Sequence, residues 1–136
     1  MSAMLVFDTW LQCSDHRDHP ANLLVTSSLQ TDVGAFYSLA YIDYAWSMVK
    51  YWRNQSAQNE FVAPVYDSRV TASLDVLSEV VTQIEGVPDN VIEHLVERVP
   101  SKFVTDEDRK IMIDGLRVRR NCLRRLIASA YPGINQ

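Results

Sequence analysis

The chain has 136 residues, of which 47% are hydrophobic and 22% charged, with a formal net charge of −4. That balance predicts one globular domain over residues 1–136 and excludes a disordered chain, while the acidic excess argues against a general nucleic-acid binder. No apolar run approaches the about 20 residues of a membrane helix, and Cys13 and Cys122 stand far apart with no apolar leader before them, so a reduced cytoplasmic setting is expected.

In chain order, residues 3–13 place Met4, Leu5, Phe7, Trp10 and Leu11 at three- and four-residue steps, which predicts a short helix with one apolar face. The polar cluster Ser14 to Pro20 breaks that periodicity and reads as a loop. Asn22–Ser27 is short and apolar, and Ala35–Ile42 follows a turn supplied by serines, Gln30, Asp32 and Gly34, so the pair predicts a hairpin. Tyr44–Trp52 is aromatic-rich and reads as a helix. Past a loop containing Pro64, the residues Val70, Leu74, Leu77, Val81 and Ile84 make a narrow helical stripe. Gly86 ends that helix, Pro88 opens the next over Asp89–Val99, and Pro100 closes it. Thr105 has the character of an N-cap before Asp106, Glu107 and Asp108, with a helix expected to run to Ala130. Gly115 weakens the middle of this helix by about 1 kcal/mol relative to alanine unless close packing requires it. The expected class is α+β and mostly helical, a short β-hairpin with a helical bundle.

The chemistry-bearing residues cluster early. The Asp-rich loop Ser14-Asp15-His16-Arg17-Asp18-His19-Pro20-Ala21-Asn22 runs into the first strand, and the second strand ends in Tyr41-Ile42-Asp43-Tyr44. Phosphoryl transfer to a hydroxyl needs one carboxylate as base, an amide oxygen on Mg²⁺ and a second carboxylate on the metal, and a hairpin brings such residues together. A zinc site built from His16 and His19 lacks the spacing of a helical histidine pair and has no cysteine partner motif.

The run FDTWLQCSDHRDHPANLLV, followed by a hairpin and AYIDYAWS, resembles the C-terminal large lobe of HipA-like serine/threonine kinases. The resemblance implies a kinase large-lobe-like fold, with Asp15 or Asp18 as catalytic base and Asn22 and Asp43 as metal ligands. It covers about the first third of the chain, and Val99-Pro100-Ser101-Lys102-Phe103 before the last helix matches the end of such kinases only loosely. The metal Asn of kinase loops usually stands five residues after the catalytic Asp, whereas Asn22 follows Asp18 by four and Asp15 by seven. The glycines Gly34, Gly86, Gly115 and Gly133 are isolated, so no phosphate-cradling loop is present, and no strand lysine with its glutamate can be assigned.

The expectation is therefore a non-catalytic protein-binding module derived from such a lobe, with no cofactor. It would inhibit or modulate a bacterial macromolecular complex and be encoded by a phage or mobile element. The alternative is the catalytic half of a split kinase completed by another chain, and ATP and Mg²⁺ belong to that reading alone. Aromatic residues exposed by a missing small lobe, Tyr44, Trp46, Tyr51 and Trp52, would bind the partner chain or support self-association. A second alternative uses Arg117, Arg120, Arg124 and Arg125, which share the polar face of the last helix, to contact nucleic acid, while Arg119 falls on the apolar side. The plainer reading of these arginines is a solvated face.

Overall fold

The computed structural model describes residues 2–14, 23–31, 34–41, 47–48, 52–53, 60–63 and 71–135. Helix α1 spans Ser2–Leu11, strands β1 and β2 span Leu23–Thr31 and Gly34–Tyr41, and helices α2, α3 and α4 span Leu74–Glu85, Asp89–Glu97 and Asp106–Ala130. A 3-10 turn, Pro132–Asn135, follows α4.

α4 is the longest element, and it packs against α1, α3, α2 and the 3-10 turn, while α1 also packs on α2. The described core is drawn from these elements and from Cys13 and Trp52, with Val6, Leu77, Val81, Leu123 and Ile127 entirely buried. β1 and β2 pair antiparallel from Leu23↔Tyr41 to Thr31↔Gly34, and Leu29 is the extra residue of a bulge between Ser28 and Gln30. The principal contacts of each strand are with the other strand, and the helices pack on one another. This corrects the expected α+β, kinase large-lobe-like class: the packed body is a helical assembly around α4. Period-2 patterning proposes a strand but carries no information on whether helices will lie against it.

α1 is buried nearly all round, which a short apolar helix requires, and Phe7 meets Trp10 edge-on at 5.8 Å. It stops two residues earlier than its periodicity predicts because Gln12 takes a left-handed φ of 54°. Cys13 N–H donates to Asp8 O at 2.8 Å and Gln12 N–H to Thr9 O at 3.3 Å, the two hydrogen bonds of a Schellman C-terminus. Glycine is the usual residue there, and a side chain in this conformation costs about 1–2 kcal/mol. What offsets the cost is the Gln12 side chain, whose Oε1 accepts a hydrogen bond from the buried Trp52 Nε1 at 2.9 Å.

α2 begins at Ser73, whose hydroxyl accepts from Val76 N–H, and ends at Gly86. α3 ends at Glu97, short of Val99, because Pro100 disfavours the helical conformation of the residue before it. α4 opens as expected: Thr105 and Asp108 form a reciprocal capping box. Its weak point is also explained, since a Cβ on Gly115 would lie 2.1 Å from Cε3 of Trp52. Trp52 lies flat against the helix backbone there, an approach only glycine permits.

Candidate functional site

Of the residues the sequence nominates, Asp15, Asp18, Asn22, Asp43, Tyr44, Trp46 and Tyr51 lie outside the described residues. Trp52 is described, and it is corrected from a docking anchor to a core residue, buried over Gly115 and hydrogen-bonded to Gln12. Large aromatic area and a satisfied indole N–H suit a core position as well as an interface, and composition does not distinguish them.

The arginines of α4 have structural partners. Arg119 is wholly buried, and its guanidinium donates to the carbonyls of Thr9 and Trp10, the last turn of α1, and to Phe61 O at 3.0 Å. Burial pushes its pKa down to about 10, so it remains a cation at neutral pH. Arg109 does the same for α3, donating to Val96 O at 2.8 Å, Glu97 O at 3.3 Å and Val99 O. Arg120 donates to Val87 O just past the end of α2 and pairs with Asp89 at 2.7 Å. One helix thus supplies a cation to the C-terminal end of each of the other three described helices, where exposed carbonyls and the helix dipole favour positive charge.

The remaining arginines pair with carboxylates. Arg117 binds Glu93, and its Nε sits 3.3 Å from Asp89, near enough for attraction but out of line for a hydrogen bond. Arg124 forks onto Glu85 through Nε and Nη2, the shorter contact at 2.7 Å, and Arg125 donates from Nη1 to both oxygens of Glu60, at 2.7 and 2.9 Å. The Arg125–Glu60 pair lies along a pocket of about 350 Å³, also lined by Val118, Asn121 and Cys122. Arg53 binds Asp108 and, together with the Thr105 hydroxyl, holds that carboxylate below its ordinary range. Among the described residues no group of three or more His, Cys, Asp or Glu is placed to hold a metal ion. No described helix is long and apolar enough to cross a membrane.

A different surface stands out on α3. Ile92 and Val96 are buried toward α4, while Val91 and Leu95, one helical turn apart on the adjoining flank, are exposed, Leu95 by 54%. In the turn between α3 and α4, Phe103 is 70% exposed, with the Lys102 ammonium 4.9 Å from its ring centroid. The turn is held from below, because Phe103 N–H donates to Pro100 O at 2.9 Å and Arg109 also reaches Ser101 Oγ at 3.3 Å. The sequence carries two signals of this surface that periodicity and capping rules do not pick out. Val91, Ile92, Leu95 and Val96 make an apolar arc wider than contact with a single helix uses, and a phenylalanine directly follows Pro100, Ser101 and Lys102 in the turn.

No family model, curated protein or solved structure matches the chain. The resemblance to the HipA-like kinase lobe is thereby corrected, since neither sequence comparison nor the helical core supports it. Short runs such as Asn-Leu-Leu and Ile-Asp-Tyr recur without common ancestry, because strand starts and strand ends draw on few residue types.

Proposed function

We propose that the chain is a protein-binding module whose docking surface is the outer flank of α3 and the turn that follows it. The observation that carries this reading is the exposure of Leu95 and Phe103 together with Val91 on a segment anchored by Arg109. Large apolar side chains on an anchored backbone supply contact area at little ordering cost, which is how a few residues come to dominate an interface. An inhibitor or modulator of a larger bacterial or phage complex is one form of this role. A reduced cytoplasmic setting goes with it, and no disulfide joins Cys13 to Cys122.

The test is affinity capture from the cell of origin with the unmodified chain, Leu95→Ser and Phe103→Ser, alongside melting curves. Loss of the captured protein at unchanged melting temperature supports the surface. Undiminished capture by both variants would remove it, and Tyr44→Ser and Trp46→Ser in the same assay would then test the aromatic segment instead.

A further inference from the structure

Resting on that reading, we infer that the partner presents an acidic amphipathic helix, its apolar side chains on Leu95 and Phe103 and its carboxylates on Arg98 and Lys102. The inference comes from the charges around the apolar patch. At about 100° per residue, His94, Arg98, Val91 and Leu95 occupy one arc of about 100° on α3. The acids of the same helix, Asp89, Glu93 and Glu97, fall outside that arc, and Asp89 and Glu93 are already engaged by α4.

Arg98 and Lys102 differ from the arginines of α4 in one respect. Among the described residues neither has a carboxylate within ion-pair distance, although acids outnumber bases 17 to 13 in the sequence. Arg98 stands one turn after Leu95, and the Lys102 amine already lies over the Phe103 ring. An apolar group covering Phe103 would also strip water from that ammonium, which favours a partner that brings an anion to the same place. A helix with apolar residues at three- and four-residue steps, flanked by Asp or Glu, meets both needs. A basic amphipathic helix would meet the apolar need and leave the cations opposed, which costs affinity.

The experiment uses three fluorescent 18-residue peptides of one apolar pattern, flanked by glutamates, by lysines or by neutral glutamines, titrated against the full chain. The acidic peptide should bind about fivefold or more tighter than the neutral one and the basic peptide weaker still, given two rim ion pairs. The preference should shrink at 0.5 M salt, where the screening length is about 4 Å. R98E/K102E should invert the order and R98Q/K102Q should level it, each with a melting curve close to that of the parent. Equal binding of acidic and basic peptides, or binding of none, overturns this inference. The wider reading stands or falls separately, on whether Leu95→Ser and Phe103→Ser abolish cellular capture. A sedimentation profile in which the chain dimerises through this face, and loses the dimer with R98E/K102E, overturns it in favour of a second copy as occupant.

Discussion

Helix α4 and the α3–α4 turn both carry clustered cations beside apolar residues, and the structure uses them in opposite ways. On α4, Arg109, Arg119 and Arg120 reach the carbonyls at the ends of three helices, and Arg117, Arg124 and Arg125 sit on carboxylates. On α3 and the turn, Arg98 and Lys102 have no such partners among the described residues, and the apolar side chains next to them face outward. The density of charge in a sequence therefore says little about its availability. Availability depends on whether another element brings an acceptor within reach.

Five substitutions would break or sharpen that contrast. The largest effect is expected at Arg119. Arg119→Met removes the donors to Thr9, Trp10 and Phe61 carbonyls and leaves buried acceptors unsatisfied, at a cost of about 3 kcal/mol or more. Urea denaturation measures it, and a loss under 1 kcal/mol would mean that α1 does not depend on α4 for its capping.

Next comes Gly115→Ala. Alanine favours a helix by about 1 kcal/mol, but its Cβ would collide with the Trp52 ring, an overpacking cost of about 1–3 kcal/mol against a ring with no room to retreat. Net destabilisation is expected, and a net gain would show that Trp52 does not pack there in solution.

The acid limb of the stability curve should report on Asp108. Its carboxyl is held below the ordinary value of 3.8 by Arg53 and Thr105, so its contribution is complete above that value and is lost as pH falls through the lower folded value. Asp108→Asn should flatten the curve below about pH 4 while leaving its shape near neutrality. An unchanged acid limb would mean that the Arg53 contact does not persist in solution.

The smallest change in stability is expected at the proposed surface. Leu95→Ser and Phe103→Ser should each alter folding by no more than about 0.5 kcal/mol, since both side chains already face water. A loss comparable to that of Arg119→Met would place them in the core and end the contrast on which the proposal rests.

Much of the helical body was legible from local rules. Of the expected stripe, Leu77, Val81 and Ile84 are buried, Leu74 is exposed and Val70 lies outside the described residues. This stripe, the breaks at Gly86 and Pro100, and the cap at Thr105 each act within one or two helical turns. The sequence also separated Arg119 from its neighbours by helical phase, and among the described arginines that residue alone is fully buried. It could not supply the partners. Those of Arg119 lie 110, 109 and 58 residues away, and a carbonyl oxygen is present at every position, so no residue type marks the one to be bound. Gln12 shows the same limit, because a residue poorly suited to a left-handed φ is retained for a hydrogen bond to Trp52 across 40 residues. Local periodicity and capping chemistry determined where helices form. Which cations are engaged, which tryptophan is core and which apolar flank stays in water were decided by packing, because each depends on what a distant segment brings to the same place.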